Sequence, residues 1–316
     1  MTFRRRWTLG LREVRARWRR DLAALERIRL KREFADLSGQ VDFVTFDRDG
    51  IRWTVHATDH GVARTLFVDG GHQAAERDGV LRWLSRHVPG ALRRSTIVDV
   101  GANLGTPGIP LARATGCRVL AIEPMPDSFE LLERNVAQNG TPRGIQCRRA
   151  AVAARPGLLQ MVWQADRGKC EVLASGSRQG FGPRRRGTRV VEVPSLPLDA
   201  LVARERIAPS DVAFVWSDTQ GFEREVVTSG SNLWAAGVPL YVELWPDGLR
   251  VHGGIVAFVA EVERSFDRMV LREDLVDASA DAPAHPISDL RALFARLEKD
   301  TDVLLLPRGV GAGAGR

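Results

Sequence analysis

The sequence has few cysteines and no long apolar run, and both shortages exclude whole classes of protein. Its three cysteines, Cys117, Cys147 and Cys170, are an odd number without a C-x-x-C pair, so neither a disulfide framework nor a structural zinc site is expected. No apolar run approaches the roughly 18 residues of a membrane span, and the arginine-rich start lacks the apolar stretch of a signal peptide. We therefore expect a cytoplasmic protein.

Excess positive charge is confined to the first 40 residues. This segment holds 12 of the 46 basic residues and 5 of the 39 acidic residues. It therefore carries the whole formal net charge of +7, and the rest of the chain is balanced. A charge-balanced chain beyond residue 40 does not support general nucleic-acid binding, so no nucleic-acid partner is expected.

The basic segment, residues 1–40, has the pattern of an amphipathic helix. Apolar residues recur at spacings of three and four, and the arginines lie mainly off this stripe; its members are Leu11, Val14, Trp18, Leu22, Leu25 and Ile28. Two interpretations stay open. In the first, the helix lies on an anionic membrane surface, so that the protein is membrane-peripheral, or binds an acidic partner. In the second, it docks on the rest of the protein with its basic face in solvent.

Residues 41–94 are predicted to form a hairpin and a helix that lead into the core. Phe43–Phe46 and Ile51–Val55 alternate apolar and polar residues on either side of Asp49-Gly50, a turn dipeptide. Glu76–His87 then has helical periodicity. The histidines are scattered rather than set at metal-ligand spacing, so no metal site is expected.

The most informative stretch is Ser95–Gly105, with sequence STIVDVGANLG. Its β-branched start suits a buried parallel strand, and the glycines that follow let the backbone approach a ligand, with free N–H groups of the next helix facing the same space. The next apolar strand, Val119–Ile122, ends in Glu123, which lies 22 residues after Gly101. At this spacing a strand-end carboxylate meets ribose hydroxyls in doubly wound folds, so the sequence predicts a nucleotide-type site.

The turn departs from the dinucleotide-binding fingerprint. Asn103 stands where the second glycine of G-x-G-x-x-G lets a pyrophosphate approach. Asp99 puts a carboxylate beside the turn, which would repel a pyrophosphate and suits an ammonium group. S-adenosylmethionine carries an ammonium, a sulfonium and a ribose, and we expect it as the cofactor. An NAD-linked oxidoreductase is the alternative.

Asp99–Gly105 together with Ala121–Pro124 resembles the first two motifs of class I methyltransferases, specifically of the FkbM-like family. Further matches follow in the same order within about residues 60–250: Phe129–Gly140 resembles the family's second helix, Val193–Leu201 its segment before the fourth strand, Phe214–Glu223 its Asp-x-x-Gly-x-Glu signature, and Leu240–Glu243 its fifth strand. Gln220 replaces a glutamate that the family often has, which weakens any proposal of a metal site.

The resemblance implies an α/β fold, a doubly wound seven-stranded Rossmann-like sheet, and an S-adenosylmethionine-dependent methyltransferase. Asp99 and the turn residues Gly101, Ala102, Asn103 and Gly105 would hold the methionine part of the cofactor. Glu123, followed by Pro124, would hold the ribose. Ala150–Val152 should close the third strand near the adenine.

The expected acceptor is a hydroxyl-bearing small molecule or glycan, because FkbM-like enzymes are typically O-methyltransferases that act on sugar or natural-product hydroxyls. Asp218 follows the fourth strand, Val212–Trp216, and is the first candidate for the general base. Glu243 and His72 are the next candidates. Asp218 would otherwise cap the helix that starts near Gly221, and a cofactor-binding protein without catalysis is a further alternative.

The predicted organisation has four parts: residues 1–40 as a basic helix, 41–94 as hairpin and helix, 95–308 as the methyltransferase domain, and 309–316 as a disordered tail. Gln164–Gly187 is rich in Gly, Ser and Arg and lacks periodicity. It is either a substrate lid or a disordered insert.

Overall fold

The computed structural model describes residues 3–71, 73–141, 143–164, 169–172, 189–277 and 282–310. The chain divides into two compact units. The first contains residues 1–72, and the second contains residues 73–165 and 169–316. None of the described helices is long and apolar enough to cross a membrane.

The first unit consists of a long helix, a hairpin and a short helix: α1 (Phe3–Ser38), β1 (Phe43–Arg48), β2 (Ile51–His56) and α2 (Val62–Asp69). The predicted hairpin is confirmed, because β1 and β2 pair antiparallel. Asp49 and Gly50 both have positive φ, the conformation that a two-residue hairpin turn needs. Among the described residues this hairpin is a separate two-stranded sheet.

The predicted apolar stripe of α1 is exposed wherever its side chains are described. The exposed fractions are 66% for Trp18, 58% for Leu22, 64% for Leu25 and 49% for Ile28. Nearer the end of the helix, Phe34 is fully buried, with its ring 5.4 Å from that of Phe67 in α2. Packing inside the first unit therefore uses the last turns of α1 and leaves the stripe in solvent.

Strands and helices alternate through most of the second unit. Its first half contains α3 (Ala74–His87), β3 (Thr96–Val100), α4 (Gly108–Thr115), β4 (Arg118–Ile122), α5 (Pro126–Asn139), β5 (Ile145–Arg148), β6 (Ala151–Val152), β7 (Gly157–Gln164), β8 (Lys169–Val172) and β9 (Arg189–Leu196). Its second half contains α6 (Leu198–Arg204), β10 (Val212–Ser217), α7 (Glu223–Ser229), α8 (Ser231–Ala235), β11 (Leu240–Leu244), α9 (Pro246–Val251), α10 (Ile255–Ser265), β12 (Phe266–Leu271), α11 (Arg272–Val276), β13 (His285–Pro286), α12 (Leu290–Arg296) and β14 (Thr301–Pro307).

The central sheet has the strand order β13-β12-β14-β11-β10-β3-β4-β5. Neighbouring strands from β5 to β11 run parallel, and β14 is antiparallel to both β11 and β12. The predicted doubly wound α/β sheet is confirmed. It has eight described strands rather than seven, because the short strand His285–Pro286 pairs with β12 at the edge.

The middle strands of the sheet are buried on both faces. Every residue of β3 and β10 is buried, as expected for β-branched strands covered by helices on either side. Side chains alternate between two apolar cores: Val98 and Val100 belong to one, and Ile97 to the other. Asp99 therefore lies on the Ile97 face, where Gly108 of α4 passes over it.

The order of the strands creates a crevice. From β3 the chain moves outward through β4 to β5, and later returns to β10 on the other side of β3 before continuing to β11. The loops that follow β3 and β10 thus leave neighbouring parallel strands in opposite directions. Open α/β sheets bind their ligands at this kind of reversal, beyond the carboxyl ends of the strands.

The predicted position of the third strand was wrong. That strand is Ile145–Arg148, whereas Ala151–Val152 belongs to a second sheet with the order β6-β9-β7-β8. Ala150 is buried in the same core as Val98 and Val100. The chain thus leaves the central sheet at Arg148, before the segment Ala150–Val152 that was expected to close the strand.

Part of the predicted lid is a strand. Lys169–Val172 pairs antiparallel with β7, so the second sheet extends into the segment Gln164–Gly187. Residues 165–168 and 173–188 lie outside the described residues, and the lid stays a prediction.

Candidate active site

The turn Gly101–Gly105 follows β3 and lies against the loop after β10. Gly101 has a φ of +82°, and a Cβ at this position would lie 1.9 Å from the backbone oxygen of Asp218. Only glycine allows this approach. The N–H groups of Gly101 and Ala102 both donate to the backbone oxygen of Ile122, at 2.9 and 3.0 Å, so the turn is fixed between its two neighbouring strands at the mouth of the crevice.

Glu123 is anchored to this turn at the end of β4. The Asn103 N–H donates to its Oε2 and the Met125 N–H to its Oε1, each at 2.9 Å. The side chain is 5% exposed, and burial raises its pKa to about 7. Each oxygen retains a second lone pair, so the group can accept hydrogen bonds from a pair of hydroxyls while the backbone holds it in place.

Asp99 lies deeper than the sequence suggested. It is 0% exposed and lies beneath the backbone of Gly108. Burial raises its pKa well above the ordinary value, and the charges of Glu123 and Asp218 raise it further. The raised pKa favours the protonated, neutral form of Asp99, and a cationic ligand at the turn would favour its ionised form.

Asp218 and Glu243 are brought together by Gln220. The Gln220 amide nitrogen donates to Asp218 Oδ1 at 2.6 Å and to Glu243 Oε2 at 2.8 Å. Asp218 is half-buried just past β10, and Glu243 is 8% exposed near the end of β11. The two leading candidates for the general base thus share one amide at the crevice, next to the glycine turn.

Asp218 does not cap α7, whose N-cap position is Phe222 and which has no side-chain cap; a different acid, Glu223, holds the preceding loop. Glu223 Oε1 accepts hydrogen bonds from the Gly221 N–H at 2.8 Å and from Thr219 Oγ1 at 3.2 Å. Burial raises the pKa of Glu223 to about 7. Because Glu223 holds the loop between β10 and α7, Asp218 is available to the crevice.

Sequence reasoning missed a further carboxyl group beside this pair. Asp302 of β14 is the cross-strand partner of Glu243. Burial, together with the charges of Asp218 and Glu76, raises the pKa of Asp302 to about 7, although Arg272, 3.6 Å away, opposes the shift. The only sequence signal was an acid at the start of the last apolar strand, since the pairing depends on the antiparallel register.

The remaining candidates are distributed differently. Pro124 is half-buried between Glu123 and Met125, and Ala150 is buried in the core. His72 lies outside the described residues. Among the residues that the structure describes, no three His, Cys, Asp or Glu side chains are grouped to hold a metal ion.

A comparison with protein families gives one match to the region that contains this site. The model of the "Methyltransferase FkbM domain" matches residues 99–261, from the acid of β3 to α10. The chain belongs to the FkbM methyltransferase family. This membership confirms the predicted reaction class, methyl transfer, and the predicted cofactor, S-adenosylmethionine. It decides against the NAD-linked oxidoreductase.

Solved structures similar to this FkbM methyltransferase share little sequence with it. TYW2 from P. horikoshii, in complex with MeSAdo, is 12% identical over 84% of this chain and 70% of its own, with a TM-score of 0.41. The Pyrococcus abyssi tRNA (uracil-54, C5)-methyltransferase, in complex with S-adenosyl-L-homocysteine, is 14% identical over 84% and 44%, with a TM-score of 0.37. An O-methyltransferase from Bacillus cereus is 12% identical over 73% and 80%, with a TM-score of 0.32. A search of curated proteins gave no match.

Proposed function

We propose that this enzyme is an O-methyltransferase, and that Asp218 is the general base for a hydroxyl of a sugar, glycan or natural product. The observation that carries the proposal is the Asp218–Gln220–Glu243 group, which adjoins the glycine turn through the contact between Gly101 and the Asp218 backbone. A base within reach of the acceptor's proton is what a hydroxyl nucleophile needs.

The residues of the turn suit the cofactor. Gly101 lets the turn pack directly against the backbone of Asp218, and Glu123 presents two anchored oxygens suited to a ribose diol. When bound, S-adenosylmethionine supplies a methyl group on a cationic sulfur. Gly101, Ala102, Asn103 and Gly105 would surround its methionine part, Glu123 and Pro124 its ribose, and Ala150 would lie on the adenine side. Asp99 would contribute its charge from beneath the turn.

In this proposal the chain contributes mainly alignment. The turn and Glu123 fix the donor side, and Asp218 orients the acceptor hydroxyl and removes its proton. Alignment of two reactants is worth up to about 7–11 kcal/mol, and general-base assistance adds roughly 10²- to 10⁴-fold in rate. Glu243 and His72 are the reserve candidates for the base.

Asp218→Asn tests the assignment of the base. Turnover should fall by roughly 10² to 10⁴, with S-adenosylmethionine binding retained in isothermal titration. Asp247→Asn is a suitable control, because Asp247 is an exposed aspartate in α9 that pairs with Arg250 outside the site. Near-normal turnover of Asp218→Asn would remove Asp218 from the mechanism.

The acceptor can be found directly. The enzyme is incubated with S-adenosylmethionine carrying a labelled methyl group and an extract of the host, and the labelled product is identified. A methylated hydroxyl compound supports the proposal. Cofactor binding without any labelled product would favour the alternative of a binding protein that has lost catalysis.

We also propose that residues 1–40 bring the enzyme to an anionic membrane surface. The support is the exposed stripe of α1 within a segment that holds the net positive charge of the chain. Near an anionic leaflet each basic residue contributes about 1 kcal/mol.

Sedimentation with vesicles that contain phosphatidylglycerol tests this localisation. The full chain should pellet at low salt and be released at high salt, and Trp18→Ser should weaken the binding. Val256→Ser is the matched control, since Val256 is an exposed apolar residue outside the segment. Equal pelleting of a chain that lacks residues 1–40 would contradict the proposal.

A further inference from the structure

Gln220 makes an unusual pair of contacts. Its single amide nitrogen has two hydrogens, and its two acceptors are carboxylates on different elements, at 2.6 Å in Asp218 and 2.8 Å in Glu243. The opposite orientation of the amide would place its oxygen against both carboxylates, so the donor end is fixed by the chemistry of its neighbours. The backbone of Gln220 has a φ of +52°, a left-handed conformation that few residues other than glycine adopt.

Gln220 joins the two carboxyl groups without adding charge. Hydrogen bonds to a carboxylate favour its ionised form, which a base requires. A lysine or arginine here would pair with the base as an ion, whereas a glutamate would put a third carboxyl group against the other two. A neutral donor leaves the negative charge of the base in place and fixes Asp218 Oδ1, and Asp218 Oδ2 would then serve the acceptor hydroxyl.

Several acidic groups surround the two carboxyl groups that Gln220 joins. The charge of Asp218 contributes to the raised pKa values of four neighbouring acids: Asp99 of β3, Glu123 after β4, Glu223 of α7 and Asp302 of β14. Glu243 of β11 is a further acid of this group, and Arg272 pairs with Glu76 and approaches Asp302 at 3.6 Å. A neutral donor between Asp218 and Glu243 satisfies both carboxyl groups and adds no charge to these acids.

We propose that Gln220 is the positioning residue for the methyl-transfer base, and that it holds Asp218 beside Glu243 in the ionised form. The inference rests on the proposed function of Asp218. It assigns to Gln220, which stands where the family often has a glutamate, a role in tuning the base rather than the loss of a ligand.

Two variants separate this role from a structural one. Gln220→Glu adds a third carboxyl group, and Gln220→Met removes both donors at nearly the same volume. The matched control is Gln146→Glu, because Gln146 is also half-buried and also donates to a carboxylate, that of Glu205, away from the site.

The first readout needs no acceptor. The full chain is labelled with carbon-13 at the Asp and Glu carboxyl carbons and titrated from pH 4 to 9, and the site signals are identified by their loss in Asp218→Asn and Glu243→Gln. Gln220→Glu should move the titration of these signals to higher pH by one unit or more, a tenfold change in proton affinity. Gln220→Met should move it in the same direction, and Gln146→Glu should leave it in place. Unmoved signals in both Gln220 variants would overturn the inference.

The second readout is the pH profile of methyl transfer to the acceptor fraction of the host extract. The acidic limb of kcat/KM should shift with the carboxyl signals, and activity should recover towards pH 9, while the Kd for S-adenosylmethionine stays within about twofold. A structural role would lower activity equally at all pH values and would overturn the inference. The activity of Asp218→Asn tests the proposed base separately, so an inactive Asp218→Asn with an unshifted Gln220→Glu would reject only the role of Gln220.

Discussion

Replacement of Glu123 by glutamine should weaken cofactor binding far more than it weakens the fold. Each carboxylate oxygen accepts one backbone N–H, from Met125 or Asn103, and keeps a lone pair for a ribose hydroxyl. A hydrogen bond to a charged acceptor contributes about 1.5–3 kcal/mol. Glutamine keeps one acceptor oxygen and turns an NH₂ group to the other side, so at least one such bond is lost. The Kd should then rise roughly 10- to 150-fold.

The loss should depend on pH, because burial raises the pKa of Glu123 to about 7. Below this value the wild-type side chain holds a proton and loses the charge that strengthens its hydrogen bonds. The ratio of the variant Kd to the wild-type Kd should therefore be largest at pH 8 and smaller at pH 6. Isothermal titration with S-adenosylmethionine at both pH values measures the ratio, and S-adenosylhomocysteine, which has the same ribose without the sulfonium, should show the same trend.

Glu223→Gln is the matched control for this experiment. Glu223 is fully buried, has a pKa that burial also raises to about 7, and also accepts a backbone N–H. In either variant a buried N–H can lose its acceptor, which costs about 1–3 kcal/mol of stability, so the two Tm values should fall similarly. Cofactor affinity should fall only in Glu123→Gln. Wild-type affinity of that variant at pH 8, or equal losses in both variants, would refute the ribose assignment.

Two further predictions follow from the same site. Gly101→Ala should abolish cofactor binding and lower Tm, because its Cβ would lie 1.9 Å from a backbone oxygen, whereas Gly116→Ala, also at positive φ but with nothing within 4 Å, should cost only about 1–2 kcal/mol of left-handed strain and keep the Kd; equal effects in calorimetry and titration would contradict this. Burial raises the pKa values of Glu123, Glu223 and Asp302 to about 7, so the folded chain retains protons that the unfolded chain releases near pH 4, and each group contributes on the order of 3 kcal/mol that is lost as pH rises towards and through 7. Urea unfolding without ligand should give a smaller free energy of unfolding at pH 8 than at pH 5.5, and a larger one would count against the buried acids.

Local patterns predicted the strands and the turn of the proposed cofactor side of the site. The β-branched run of β3 and the apolar run of β4 are short, buried and bounded by turn residues, so their positions follow from the residues alone. The spacing from Gly101 to Glu123 then placed an acid beside the turn, and the structure joins Glu123 to the N–H of Asn103. Strand, turn and acid all lie within one short stretch of chain, where sequence spacing translates directly into geometry.

Long-range pairings were beyond such patterns. Strand β6 of the second sheet has only two residues, Ala151 and Val152, and they pair with Ser195 and Leu196 more than forty positions later. Local patterns do not show this pairing, so Ala150–Val152 was assigned to the third strand of the central sheet. The link from Asp218 to Glu243 through Gln220, and the pairing of Glu243 with Asp302, depend on the register of strands far apart in the chain.

Helix α4 contains a proline close to its start. It begins at Gly108, and Pro110 is its third residue. The first turn of a helix has N–H groups without intrahelical partners, so a proline there removes no hydrogen bond of the helix. The helix therefore starts directly after the glycine turn, with Gly108 packed over Asp99.

The central claim is that the enzyme transfers a methyl group to a hydroxyl with Asp218 as the base. The measurement that tests it most directly uses S-adenosylmethionine with a carbon-13 methyl group, the host extract and two enzymes, wild type and Asp218→Asn, followed by nuclear magnetic resonance of the labelled product. We predict a methyl carbon bonded to oxygen with the wild type, and at least a hundredfold less of it with Asp218→Asn. A methyl group on nitrogen or carbon, or equal yields from the two enzymes, would contradict the account.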